Sequence, residues 1–365
     1  MQKAGTASLH RYISKVVWVD GGSAKEHHFF DLISSIDKHG RFNTMMEIGK
    51  LKKHYPKYLS SWPNLVEAGN FWCDLDHCCS HPYNRLTLDI TPAYSFDRRV
   101  PYHMQQIVPF PHQLKFVLII RDPVSRALSG FFQLQPHSTV SKFIPAARQE
   151  LQVLKLCYNK TLSFYHSYST DLNLRQTPIS NSSDRACKPP WEQYEDLGEC
   201  LGQITDVNIS AKPWYRKMIP EGAQGKEKLI EEGTGGLYDG AVLRGVYVDM
   251  IHHYLCAGFK PSQFLVIASN ELRADHVDVI KRIFEFVNET RPWEYINSRA
   301  GKFMERQIER NRRAKDTKFD NSTLHQLAQF YYPFNQQLLH LLSNHDFNVR
   351  LPKIVQELEY TVKYL

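Results

Sequence analysis

The clearest strand signal is LKFVLII, Leu114 to Ile120, an almost unbroken apolar run rich in β-branched residues. Such a run predicts a strand buried on both faces, as in a parallel sheet. It stops at Arg121-Asp122-Pro123, and from about Val124 the residues Ser125, Ala127, Leu128, Phe131 and Phe132 recur at helical spacing. A second run, QFLVIA from Gln263 to Ala268, follows a helical stretch from about Ala241 to Cys256. Alternation of this kind predicts an α/β fold with a parallel sheet. The tail from Ser322 to Leu342 is helical in pattern but contains Pro333, so two helices meeting at a bend are expected.

Between about 138 and 236 the periodicity fades, turn clusters such as ISNSSD and CKPPW appear, and Cys157, Cys187 and Cys200 occur. This stretch reads as a loop-rich, disulfide-bearing insertion in a single domain spanning 1–365. Cys187 with Cys200 is the expected bridge, and Cys157 is an alternative partner for either.

With 365 residues, 42% of them hydrophobic, the chain can bury a sizeable core. A net charge of +7 favours an acidic partner, which leaves nucleic acid, an anionic membrane surface and a polyanionic sugar open. No apolar stretch reaches the length of a membrane span, and no signal-peptide pattern occurs. The sequons at Asn159, Asn181, Asn208, Asn288 and Asn321, together with seven cysteines, instead suit a luminal or secreted surface.

Candidate chemistry begins at the first residues. Lys3, Gly5, Thr6, Ala7 and Ser8 form a Lys-x-Gly-Thr-x-Ser turn entering a helix, which offers backbone N–H donors, a helix N-terminus and a cation to a phosphate or sulfate. The Lys precedes the Gly, so the order required of a nucleoside-triphosphate loop is missing, and a kinase reading is disfavoured. Arg121, at the carboxyl end of the predicted strand, stands where ligands of open α/β sheets bind, and Ser125 and Ser129 share a face of the following helix. GKLKKHYPK, Gly49 to Lys57, is a solvated charged face or the lining of a polyanion groove. FWCDLDHCCSH has Cys73, His77, Cys78, Cys79 and His81, but adjacent cysteines suit a disulfide or buried thiols better than zinc.

Lys-x-Gly-Thr followed by Arg-Asp-Pro-x-x-Arg-x-x-Ser resembles the paired phosphate sites of sulfotransferases that use 3′-phosphoadenosine 5′-phosphosulfate. KEHHFFD (Lys25 to Asp31), TPAY (Thr91 to Tyr94) and FYYPFN (Phe330 to Asn335) are similar to stretches of heparan sulfate glucosaminyl 3-O-sulfotransferases. The segment GVYVDMIHHYLCAGFKPSQFLVIASNEL is closer in layout to N-acetylgalactosamine 4-sulfate 6-O-sulfotransferases. The resemblance implies a P-loop-like central parallel sheet flanked by helices, with its first strand missing ahead of Lys3, and no metal. It further implies that Lys3, Gly5, Thr6, Ala7 and Ser8 hold the 5′-phosphosulfate and that Arg121 and Ser129 hold the 3′-phosphate. Glu26 would be the base that takes the acceptor proton, Lys3 would neutralise charge on the departing phosphate, and His28 would bond acceptor or sulfuryl oxygens. A late cation would come from Arg312, Arg313 or Lys315, with Arg313 as the candidate.

The implied acceptor is an anionic glycan rather than nucleic acid. The implied location is the Golgi lumen, as a type II membrane protein anchored by a segment outside this sequence. One departure is that Asp89-Ile90 stands where the 3-O-sulfotransferases have a Lys before Thr-Pro-Ala-Tyr, which favours the 6-O-type reading. The competing expectation is a non-catalytic glycan-binding module on the same fold.

Overall fold

The computed structural model describes residues 4–13, 19–20, 26–32, 44–62, 86–134 except 96 and 98, parts of 143–154, 242–288, and 321–365 except 364. In chain order the elements are α1 Thr6–Ile13, β1 Val19–Asp20, α2 Phe29–Leu32, α3 Thr44–Leu59, β2 Leu86–Thr87 and α4 Val100–Ile107. There follow β3 Phe116–Ile120, α5 Pro123–Leu134, α6 Tyr247–Cys256, β4 Phe264–Ala268, α7 Ser269–Ala274 and α8 His276–Phe286. The last three are α9 Asn321–Asn344, β5 Asn348–Val349 and α10 Leu351–Val362. The architecture is broadly α/β, with parallel strands flanked by helices. It divides into two compact units, 1–119 with 263–316 and 120–262 with 317–365.

In the first unit, β1 and β2 pair in parallel with Val19 opposite Leu86 and Asp20 opposite Thr87. The two predicted apolar runs become β3 and β4, which are hydrogen-bonded neighbours. Every residue of β4 is buried, which is why its sequence shows no polar alternation. Phe116 stacks on Phe264 across the pair at 4.9 Å between ring centroids. The Gln263 amide donates to the carbonyls of Pro111 and Leu114, both at 2.9 Å, and fixes the chain where it enters β3. At the other end of β4, the Glu271 carboxylate accepts the Ala268 N–H and is paired with Arg282. Asp275 caps α8 by accepting the Asp278 N–H, as its place ahead of a helical pattern demands.

The second unit is mainly helical in its described parts, apart from the short β5, with α6, α5 and α10 each packed on α9 or on one another. The two helices expected on either side of Pro333 are one: α9 runs from Asn321 to Asn344 with Pro333 inside it. A proline within a helix costs about 3 kcal/mol. Beyond it, Phe334, Leu338, Leu341 and Leu342 are all buried, and each such side chain contributes about 2 kcal/mol on leaving water. Packing therefore outweighs the local penalty and carries the helix through.

Of the stretch 138–236 only parts of 143–154 are described. These are helical, with Phe143, Ala147, Leu151 and Leu154 buried at helical spacing. Glu150, on the same segment, accepts the N–H groups of Val242 and Leu243 at 2.9 and 2.8 Å. The three cysteines of the expected insertion lie outside the described residues.

Gly245 sits under the Tyr331 ring, whose hydroxyl donates to the Val242 carbonyl at 2.6 Å. A Cβ at Gly245 would stand 2.7 Å from the Tyr331 ring and 2.9 Å from Pro123 Cβ. Gly245→Ala therefore forces one of two buried groups to shift and is expected to lower stability by about 1–3 kcal/mol. Urea unfolding monitored by circular dichroism checks this, and an unchanged midpoint would contradict it.

Candidate functional site

Residues 26–31 fold back on themselves around a single carboxylate. The hydroxyls of Tyr58 and Tyr94 donate to Asp89 Oδ2 at 2.8 and 3.0 Å, and the Thr91 hydroxyl donates to Asp89 Oδ1 at 2.7 Å. With their hydrogens committed to Asp89, the Thr91 and Tyr94 oxygens are left to accept. Thr91 takes the N–H groups of His27 and His28 at 2.9 and 3.3 Å, and Tyr94 takes that of Phe29 at 2.9 Å. Three successive backbone donors leading into α2 are thus satisfied from another part of the chain. Tyr94 is held in its neutral form because burial, and then the Asp89 charge, push its pKa far up.

His28 has φ 52°, a left-handed conformation costing a residue with a Cβ about 1 kcal/mol. That turn aims its ring between two carboxylates, with Nδ1 2.8 Å from Asp31 Oδ2 and Nε2 3.4 Å from Glu26 Oε2. Hydrogen bonds to Asp31 and Glu26, against the pull of burial, raise the His28 pKa to about 10. At neutral pH the ring is an imidazolium that donates from both nitrogens, so it is no base. Burial raises the Asp31 pKa, while His28 opposes that rise. The Glu26 and His28 side chains are each 33% exposed, whereas Asp31 is at 8%. Of the two carboxylates, Glu26 is thus the one that a solute hydroxyl can reach.

Behind the cluster, the Arg99 guanidinium donates to the Asp31 carbonyl at 3.3 Å and grips Asp97 at 3.0 and 2.7 Å. Burial favours the neutral form of Asp97, but Arg99 holds its pKa below the ordinary carboxylate value. Buried His103 donates from Nδ1 to the Phe30 carbonyl at 2.8 Å. His27 turns away into an aromatic pocket, 4.5 Å from the Trp62 ring and edge-on to Tyr58 at 5.9 Å.

Gly5 lies in the turn that opens α1, with φ 115°, where a Cβ would also meet Leu272 at 2.8 Å. Only glycine satisfies both demands. Thr6, Ala7 and Ser8 make the first turn of α1, which carries no acidic residue to compete with an anion. Lys3 and Arg313 lie outside the described residues, as do the Cys73 to His81 cluster and the segment ahead of Lys3.

In the second unit, half-buried Arg121 follows the last residue of β3, and Asp122 is the N-cap of α5, its Oδ1 accepting the Ser125 N–H at 2.7 Å. Ser125 and Ser129 share a half-buried face of α5. The expected site residues therefore fall into two groups. Gly5, Thr6, Ala7, Ser8, Glu26 and His28 belong to the first unit, and Arg121 and Ser129 to the second. Of these, Glu26 and His28 are brought into contact.

Asp31, Asp89, Asp97, Arg99 and His103 are absent from the sequence-derived site. The i,i+3 pair of His28 with Asp31 was the one local signal available. The lysines of the basic stretch, Lys50, Lys52, Lys53 and Lys57, are exposed on α3, while Leu51, Tyr55 and Tyr58 face inward. No helix of the described residues is long and apolar enough to cross a membrane. Comparison with models of known protein families finds no match, and comparison with curated proteins finds none either.

The raised pKa of His28 carries a pH signature. A group whose pKa rises on folding, here from 6.5 to about 10, contributes stability that is complete below about pH 6.5 and lost as pH climbs through 10. His28→Gln removes this dependence. The expected result is that the unfolding midpoint of the wild type, relative to the variant, falls steadily between pH 7 and 10. Parallel midpoint curves would show that His28 is not held as an imidazolium.

Proposed function

We propose that the chain is a sulfotransferase, moving a sulfuryl group from 3′-phosphoadenosine 5′-phosphosulfate to a hydroxyl of an anionic glycan. The observation that carries the reading is the Glu26–His28–Asp31 cluster. It combines an accessible carboxylate, a fixed cation beside it and a buried second carboxylate that orients the cation. In the proposed reaction Glu26 takes the acceptor proton as the acceptor oxygen bonds to sulfur. The bond from sulfur to the bridging phosphate oxygen breaks, and the donor leaves as the 3′,5′-bisphosphate.

His28, doubly bonded, keeps Glu26 in place and presents positive charge where the sulfuryl oxygens gain negative charge. That role differs from a direct bond of His28 to the acceptor, because both ring nitrogens already face carboxylates. The glycine turn opening α1, with Thr6, Ala7 and Ser8, is the proposed cradle for the 5′-phosphosulfate, completed by Lys3. Arg121 and Ser129 are the proposed holders of the 3′-phosphate, with Arg313 as the late cation. The sequons at Asn288 and Asn321 are both exposed, which supports the proposed luminal location.

A second reading, a glycan-binding module without transfer, draws on the exposed lysine face of α3. Both are separated by one experiment: transfer of labelled sulfate from the nucleotide donor to heparan, chondroitin and dermatan chains, for wild type and Glu26→Gln. Loss of the general base is expected to lower kcat by about 10²–10⁴ while donor binding persists. Glycan binding with no transfer by the wild type would replace the enzyme reading with the binding module.

A further inference from the structure

The peptide group joining Arg121 to Asp122 is held at both of its polar edges by side chains remote in sequence. Its carbonyl accepts the Tyr247 hydroxyl at 2.6 Å, and its N–H donates to Glu357 Oε1 at 2.9 Å. The next side chain is held as well: Asp122 Oδ2 accepts the Thr361 hydroxyl at 2.5 Å while Oδ1 caps α5 through Ser125. Tyr247 comes from α6, and Glu357 and Thr361 from α10. The three partners of this turn other than Ser125 are all buried, so water does not substitute for any of them.

A peptide plane fixed on both edges leaves Arg121 no freedom to rotate about its ψ angle, and that angle sets where its side chain leaves the backbone. We propose that Tyr247, Glu357 and Thr361 are positioning residues that aim Arg121 at the donor's 3′-phosphate. This rests on the donor assignment of the preceding section. A strand end followed by a capped helix needs only the Asp122 to Ser125 bond to form. The three further bonds, drawn from segments 126, 235 and 239 residues away, exceed what the turn requires for itself. They are what a planar guanidinium needs if it is to meet a phosphate with two parallel hydrogen bonds, since that geometry tolerates little angular error.

The test compares binding of adenosine 3′,5′-bisphosphate with that of adenosine 5′-monophosphate, which lacks the 3′-phosphate, by calorimetry on the full chain. The wild type is expected to prefer the bisphosphate. Thr361→Val, which deletes one hydroxyl at nearly constant volume, is expected to cut that preference about tenfold with monophosphate affinity unchanged. Thr361→Ser, which keeps the hydroxyl, restores it. Tyr247→Phe is the milder probe, with an expected loss of about threefold, and decides alone should Thr361→Val not fold. If the wild type shows the preference and Thr361→Val and Tyr247→Phe keep it in full, the positioning role is overturned while the donor assignment stands. If the wild type shows no preference, the donor assignment fails and this proposal falls with it.

Discussion

A carboxylate that accepts hydrogen bonds from several hydroxyls turns each hydroxyl oxygen into an acceptor for something else, and Asp89 uses this to shape the stretch from His27 to Phe29. Three hydroxyls point at its two oxygens, and two of them collect the N–H groups of residues 27, 28 and 29. Bonds to a charged acceptor are worth about 1.5–3 kcal/mol each, more than the roughly 1 kcal/mol of a left-handed His28. The strained turn is therefore sustained by its surroundings. Without that turn the His28 ring would not sit between Glu26 and Asp31, and Glu26 would be an ordinary surface carboxylate.

The same organisation recurs in the second unit with different chemistry. Asp122 caps α5 locally, while Glu357, Thr361 and Tyr247 reach its turn from distant helices. Burial raises the Asp122 pKa, and the hydrogen bonds from Thr361 and Ser125 work against that rise. Nearby, Glu150 is also pushed up by burial and steadied by the backbone donors of Val242 and Leu243. In each unit a motif recognisable from its sequence is a short segment whose geometry is set by residues far along the chain.

That division explains what the sequence disclosed. β3, β4, α5 and α6 were legible because their signals are local: apolar runs for strands buried on both faces, helical spacing, and the break at Arg121-Asp122-Pro123. Gly5 and His28 were legible as types at motif positions. The role of Asp89 as a hub was not, because Tyr58 reaches it from 31 residues away and no period links Tyr58, Thr91 and Tyr94. Glu357 and Thr361 were invisible for the same reason at greater range. The continuity of α9 through Pro333 is not a local property: the proline alone predicts a break, and the burial of Phe334, Leu338, Leu341 and Leu342 decides the outcome.

Asp89-Ile90 stands directly ahead of Thr91, and the structure gives both residue types a physical meaning. A lysine at Ile90 would bring a charge into a buried position, and one at Asp89 would offer three hydroxyls a donor in place of an acceptor. The second change would remove the acceptor that orients the hydroxyls holding the N–H groups of residues 27 to 29. The positive charge of this part of the chain lies instead on the outer face of α3. Its inward Tyr58 closes the Asp89 hub, while Lys50, Lys53 and Lys57, at spacings of three and four, line its exposed face. One helix thus couples the internal carboxylate to an external cationic surface, and its inward face cannot be repacked without disturbing both.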